Sequence, residues 1–155
     1  MANTIDLFVA QMRRDLVALG IRELRTAQEV DETIRSSRGT LLVFVNSTCG
    51  CAGGIARPGL AMALKNRALP DQLATVFAGQ DKEATERARS YFTDQPPSSP
   101  SFALLQDGKL VSMIHRRDIE GTTPIYAASL LTKVFNSHCA QGAATQAGDD
   151  LEDNR

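Results

Sequence analysis

With 155 residues, 43% of them hydrophobic, the chain holds material for one ordinary globular domain with a single core, and nothing in its composition marks off a second. A net charge of −1 gives no case for nucleic acid as a partner. No apolar run approaches the ~20 residues that span a bilayer, and Met1-Ala2-Asn3-Thr4 carries no basic and apolar secretory pattern, so the expectation is a cytoplasmic protein with no membrane partner.

Ile5, Phe8, Val9, Met12, Leu16 and Leu19 recur at three- and four-residue steps and stop at Gly20, which predicts an amphipathic helix with a glycine end. Thr26 with Glu29 three positions on forms a capping-box signal, and Val30 and Ile34 continue one face of a second helix to about Ser37. Thr40 to Val45 is a continuous β-rich apolar run, as expected of a central strand covered on both faces. Cys49-Gly50-Cys51 follows it directly. Beyond the cysteines, Leu60, Ala61, Leu64 and Leu69 predict a helix to about Ala68, then a buried strand over Leu73–Ala78 and a helix over Asp81–Phe92.

Three prolines within Gln95-Pro96-Pro97-Ser98-Ser99-Pro100 end that helix. Phe102–Leu105 and Leu110–His115 are short strands joined through Asp107-Gly108, a strong hairpin signal, and Thr123-Pro124 caps a last helix to about Ser137. After the first helix the order reads as a strand left open, then α, β, α, β, α, β, β, α. Helix-separated strands imply parallel pairs, and the hairpin adds antiparallel ones, so the expected architecture is α/β with a central mixed sheet flanked by helices. From Gln141 to Arg155 four acids and one arginine give a tail of net −3 without periodicity, and residues 140–155 are expected to be a disordered acidic extension of a domain over residues 1–139.

In a reducing cytosol a close cysteine pair is catalytic, redox-sensing or metal-binding rather than a structural staple. Two thiols held where a strand passes to a helix suit thiol–disulfide exchange, because the thiolate is the reactive form and a helix start presents free N–H groups and partial positive charge. Cys49, nearest the strand end, is the expected attacker, and Cys51 the thiol that resolves the mixed disulfide. A free cysteine titrates near 8.5, and a dipole effect of about 0.3–1 kcal/mol moves that by only ~0.2–0.7 units. Hydrogen bonds from the N–H groups of Cys51, Ala52 or Gly53, or a cation such as Arg57, must supply the rest; Arg57 reads equally well as a solvated surface residue. A Cys49–Cys51 bond needs a tight backbone bend, which Gly50 allows at low steric cost. Cys139 and the two histidines, His115 and His138, raise zinc as an alternative, but Cys-x-Cys is not the usual ligand spacing, and no metal is expected. Both histidines are read as structural or solvated, and Cys139 as a small hydrophobe or secondary thiol.

The element order, with cysteines after a central strand and a proline opening a later one, resembles the thioredoxin fold, a three-layer sandwich. A closer resemblance is to the bacilliredoxin family. It is carried by Asn46-Ser47-Thr48-Cys49-Gly50-Cys51-Ala52-Gly53-Gly54-Ile55-Ala56-Arg57-Pro58, by Val76-Phe77-Ala78-Gly79-Gln80-Asp81-Lys82-Glu83-Ala84-Thr85, by Pro97-Ser98-Ser99-Pro100-Ser101 and by His138-Cys139, and it covers about residues 5–139. Thr48 and Gly53 depart from the family pattern, where a small apolar residue and alanine are expected. The resemblance implies a thiol–disulfide oxidoreductase that removes bacillithiol from mixed disulfides on cytosolic proteins, with a general protein disulfide isomerase as the alternative. No bound cofactor is implied; bacillithiol is the thiol co-substrate, and the implied partners are S-bacillithiolated proteins and a disulfide-reducing system. Since bacillithiol bears carboxylates, Asn46, Ser47, Gly50, Gly53 and Arg57 are the implied substrate contacts. Ser99-Pro100 matches by position the cis-proline of the thioredoxin fold, whose backbone pairs with an extended substrate, although sequence alone favours a trans bond. Arg57-Pro58 taken alone would start the helix only at Pro58; the resemblance instead implies a helix that opens near Cys51 and bends at Pro58.

Overall fold

A computed structural model of the protein describes residues 3–141, and the acidic extension expected at the C-terminus lies outside the described residues beyond Gln141. Helix α1 (Thr4–Ala18) begins at Asn3, which shares a reciprocal cap with Asp6, and leads into a two-residue strand β1 (Arg22–Glu23). The strand left open in the sequence is therefore present. Helix α2 (Ala27–Ser36) starts where expected, with the Thr26 hydroxyl accepting from the Glu29 N–H. Every residue of β2 (Thr40–Asn46) is buried. A π-helical segment (Ala52–Ala56) runs without a break into α3 (Arg57–Ala63), followed by β3 (Gln72–Phe77) and α4 (Lys82–Ser90). Strands β4 (Ser101–Gln106) and β5 (Lys109–Ile114) form the hairpin, with Asp107 at φ 50° and Gly108 at φ 82° supplying the left-handed pair of a tight turn. Short α5 (Arg116–Ile119) and long α6 (Pro124–His138, capped by Thr123) complete the chain.

The five strands lie in the order β1-β3-β2-β4-β5, with β1, β3 and β2 parallel and β4 and β5 each antiparallel to its neighbour. Because side chains alternate along a strand, β2 feeds two cores. Leu42 and Phe44 pack with Phe102 and Leu104 against Leu16 of α1, Ala56, Leu60 and Ala63 of the third helix, and Leu131 and Phe135 of α6. Leu41, Val43 and Val45 pack with Ala74, Val76 and Leu105 against Val30 and Ile34 of α2 and Ala84 and Ala88 of α4. Phe44 and Phe102 stack at 4.7 Å between ring centroids in the middle of the first core. The result is the expected α/β three-layer sandwich around a mixed sheet.

Two expectations need correction. The apolar face expected for α1 is not its buried face: Ile5 and Phe8 are 67% and 61% exposed, and only Val9 and Leu16 are buried. The inward stripe runs Val9, Arg13, Leu16, and its middle member is a charge. Arg13 donates to Glu23 at 2.6 Å and Asp81 at 2.7 Å and lies over the Phe77 ring, so it is partnered where periodicity asks for an apolar residue. The third helix ends at Ala63 rather than near Ala68, because Asn66 turns the chain by donating to the Ala68 carbonyl and to Asn136 of α6.

Parallel pairing sets one edge of the sheet apart. There β2 ends at Asn46, β4 begins after Pro100 and β5 ends before His115, and the register Phe44↔Phe102↔Ile114 brings the three strands level. Cys49, Cys51 and the cis-proline segment lie at that edge.

Candidate active site

At the end of β2 the backbone stays tied to the sheet, with the Asn46 carbonyl accepting from the Ala78 N–H at 2.9 Å. Asn46 is fully buried, and its Oδ1 accepts from the Ser47 N–H at 2.9 Å and from the Arg57 guanidinium at 2.8 Å. Arg57 also donates to the Ser47 carbonyl at 2.8 Å. The turn that carries the cysteines is thus clamped from below by a residue further along the helix that follows it. Gly53 makes room for that clamp: a Cβ there would stand 2.8 Å from the Arg57 Nη2.

The helix opens at the cysteines themselves. The Cys49 carbonyl accepts from the N–H groups of Ala52 at 3.1 Å and Gly53 at 3.2 Å, and Cys51 already has helical angles, φ −63° and ψ −39°. The following turns widen to a π-helix and then pass through Pro58 into α3, so the proline, which has no N–H to give, sits within a continuous helix. Cys49 therefore stands at a helix start, in line with the expected helix that opens beside the cysteines and runs through Pro58.

What makes Cys49 distinct is the donors around its sulfur. The Ser47 hydroxyl donates to Cys49 Sγ at 3.0 Å, while the same oxygen accepts from the Cys49 N–H at 3.3 Å. Burial works against the thiolate, but the Ser47 hydroxyl, the N–H groups of Ala52 and Cys51 and the charge of Arg116 outweigh it and hold the Cys49 thiol below the usual cysteine range. Cys51 goes the other way: burial raises it, the neighbouring Cys49 and Glu120 add to the rise, and Arg116 only partly offsets it. The two thiols, both reduced, are chemically unequal: the surroundings of Cys49 favour its thiolate and those of Cys51 its protonated form.

The other sequence-derived candidates fall into three places. Ser47, Gly50, Gly53 and Arg57 surround Cys49 and Cys51 on the turn and the first helical turns. Asn46 lies beneath them with no exposed surface, where it holds Arg57 and Ser47 rather than facing solvent as a substrate contact would. Ser99-Pro100 is a cis peptide, and its position just before Ser101, the register partner of Val45, brings it to the same edge. Cys139 is elsewhere. It lies near Thr40 and Asp71, at the opposite end of β2, a strand length of about 20 Å from Cys49. The zinc set that would have joined Cys139 to the cysteine pair is thus separated by the fold, and among the described residues no group of three or more His, Cys, Asp or Glu side chains could hold a metal.

Of the two readings open for His115, structural or solvated, it is the structural one that holds: His115 is buried, with its ring 2.8 Å from Ser98 Oγ through Nδ1 and 2.8 Å from Gln95 Oε1 through Nε2, so it pins the segment that leads into Pro100. One feature was missed in the sequence. Arg116, on a four-residue helix too short for periodicity to find, is the cation whose charge favours the thiolate at Cys49 and opposes the rise at Cys51. The basic run His115-Arg116-Arg117 at a strand end was the available signal, but its nearness to the cysteines depends on the register across β4.

The family model described as "Disulphide isomerase" matches residues 5–139. A protein named bacilliredoxin from Geobacillus kaustophilus is 56% identical over 133 residues, which cover 86% of this chain and 91% of that one. Another bacilliredoxin, from Koribacter versatilis, is 48% identical over 141 residues, 91% of this chain and 97% of its own. Among solved structures, thioredoxin from Fasciola hepatica superposes with a TM-score of 0.54 at 23% identity, covering 76% of this chain and 99% of that one. Oxidised thioredoxin from Plasmodium falciparum gives 0.53 at 19% identity, with 74% and 98% covered. At such identities the structural likeness carries the fold, and the fold is that of thioredoxin.

Proposed function

The chain belongs to the bacilliredoxin family and is a thiol–disulfide oxidoreductase, and from that premise we propose that it removes bacillithiol from mixed disulfides on proteins, with Cys49 as attacking thiolate and Cys51 as resolving thiol. The observation that supports this most is the sulfur of Cys49, which meets the Ser47 hydroxyl and the N–H groups of Cys51 and Ala52 at the start of a helix. The Cys49 thiolate attacks the bacillithiol sulfur, the mixed disulfide breaks, and the protein thiolate leaves and takes up a proton. Cys49 then carries bacillithiol. Cys51, once deprotonated, attacks the Cys49 sulfur and expels bacillithiol as its thiolate, leaving a Cys49–Cys51 disulfide. A disulfide-reducing system returns both thiols with two electrons, or a second small thiol resolves the adduct without Cys51. Bacillithiol is co-substrate in this cycle, no bound cofactor takes part, S-bacillithiolated proteins are the partners, and the cytoplasm, where thiols are kept reduced, is the compartment that suits it. No helix among the described residues is long and apolar enough to cross a membrane.

The test offers a bacillithiolated protein to the wild type and to Cys51→Ala and locates the adducts by mass spectrometry. Transfer with accumulation on Cys49 in the variant is the expected outcome; absence of transfer in both refutes the reading. General disulfide isomerisation is the second reading, favoured by the description of the matching family model. Reshuffling of scrambled disulfides with little turnover of bacillithiolated protein would select it.

A further inference from the structure

Arg57, the cation that the sequence offered to a substrate carboxylate, is committed elsewhere: it is half-buried and spends its bonds on Asn46 and the Ser47 carbonyl. Another arginine faces the site from across the sheet. Phe44, Phe102 and Ile114 stand level on β2, β4 and β5, so Arg116, two residues beyond Ile114, lies level with Asn46, two residues beyond Phe44, at two strand spacings or about 10 Å. The end of β4 at Pro100 lies between them. Ile119, on the same short helix, is buried in the same core layer as the helix that follows the cysteines, which anchors α5 to that face of the sheet. The Arg116 charge accordingly acts on both thiols.

Arg116 is also free to change partners. Its Nε donates to Glu120 Oε2 at 2.9 Å, both side chains are well exposed, at 43% and 59%, and the two terminal nitrogens of its guanidinium have no hydrogen-bond partner among the described residues. An exposed i,i+4 pair is weak and screened by solvent, so a carboxylate with better geometry displaces Glu120 at little cost. A guanidinium fork suits such a group, since it can bind both carboxylate oxygens at once.

Resting on the bacillithiol reading above, the geometry points to Arg116 as the residue that receives a carboxylate of the small thiol carried on Cys49, exchanging Glu120 for it. The site then selects acidic low-molecular-weight thiols over neutral ones. Selection and thiolate stabilisation are separable, because a neutral adduct needs only the second.

The experiment uses one carrier protein with a single cysteine, loaded with bacillithiol, glutathione or 2-mercaptoethanol, and measures kcat/KM for the wild type, Arg116→Gln, Arg116→Lys and Arg117→Gln. Loss of one charged hydrogen bond is on the order of a tenfold effect, so Arg116→Gln is expected to lose roughly ten times more on the bacillithiol adduct than on the 2-mercaptoethanol adduct, mainly through KM, with partial rescue by Arg116→Lys. Arg117→Gln, an exposed neighbour, is expected to leave the ratio unchanged. Equal losses on both adducts, or a wild type with no preference for the acidic ones, overturn the inference while leaving the oxidoreductase reading standing. A wild type that ignores bacillithiol but takes glutathione in an Arg116-dependent way overturns the bacillithiol reading and upholds the inference.

Discussion

Removing the Ser47 hydroxyl is expected to tilt the pH dependence of transfer rather than lower it uniformly. In Ser47→Ala the sulfur of Cys49 loses the donor at 3.0 Å and keeps the N–H groups of Ala52 and Cys51. A hydrogen bond to a charged acceptor is worth about 1.5–3 kcal/mol, and with other donors remaining we take the low end, which reduces the thiolate population about tenfold below its titration midpoint. The surviving thiolate is more basic, and nucleophilicity rises with basicity with a slope of about 0.4–0.5, so it reacts about threefold faster. The net loss at low pH is therefore about threefold. Above both midpoints every molecule is ionised, and the variant becomes about threefold faster than the wild type. Single-turnover transfer from a bacillithiolated protein, measured against pH in a Cys51→Ala background, should give two curves that cross. The same lowering of Cys49 makes the reduced wild-type fold gain stability as pH rises from its folded midpoint to the unfolded one near 8.5, a gain lost again on acidification and smaller in Ser47→Ala. Parallel rate curves with a common midpoint would refute this reasoning, because they would show that the hydroxyl does not act on the charge of the sulfur.

Gly59→Ala places a Cβ 2.8 Å from that of Ala127 and 3.0 Å from the Pro124 carbonyl, which forces α3 off α6 at a cost of about 1–3 kcal/mol; denaturant titration should show it, with only partial recovery in Gly59→Ala/Ala127→Gly because the carbonyl contact remains. His115→Ala leaves Ser98 and Gln95 without their shared partner and opens a hole, so about 2–4 kcal/mol of stability should go, with protease nicking concentrated in residues 95–100. At Gly50 an added Cβ meets nothing within 4 Å and φ is not positive, so Gly50→Ala should keep the reduced fold and first transfer intact and slow only the release of bacillithiol by Cys51, read as accumulated Cys49 adduct in mass spectra.

The fold was most legible where burial is symmetrical. Thr40 to Val45 reads as a covered strand because both of its faces feed cores, and Asp107-Gly108 reads as a turn because the required positive φ is written in the residue types. It was least legible where a charge takes a buried position: Arg13 breaks the apolar stripe of α1, and only the distant acids Glu23 and Asp81 make that position tolerable. The cysteine pair announced thiol chemistry from spacing alone. Its donors did not, since a serine two residues before a cysteine is a common pair and only the turn geometry brings its hydroxyl to the sulfur. Arg57 and Asn46 point inward for a related reason: no local pattern reveals that β2 stays buried through Asn46 or that the helix folds its arginine back beneath it.

In the proposed cycle, the order of the two thiol steps follows from a charge that the first step removes. While Cys49 is a thiolate, its charge adds to burial in keeping the proton on Cys51, so the resolving thiol is a weak nucleophile when nothing needs resolving. Formation of the mixed disulfide neutralises Cys49, and that repulsion vanishes, leaving burial and Glu120 opposed by Arg116. Cys51 thus becomes easier to ionise at the moment its target appears one residue away. The reverse assignment has no such logic, because Cys51 lacks the Ser47 hydroxyl and the helix-start N–H groups that hold a thiolate at Cys49. If a substrate carboxylate takes Arg116, the cation that helps Cys51 ionise is partly neutralised, and acidic small thiols then favour resolution by a second small thiol over closure of the Cys49–Cys51 bond.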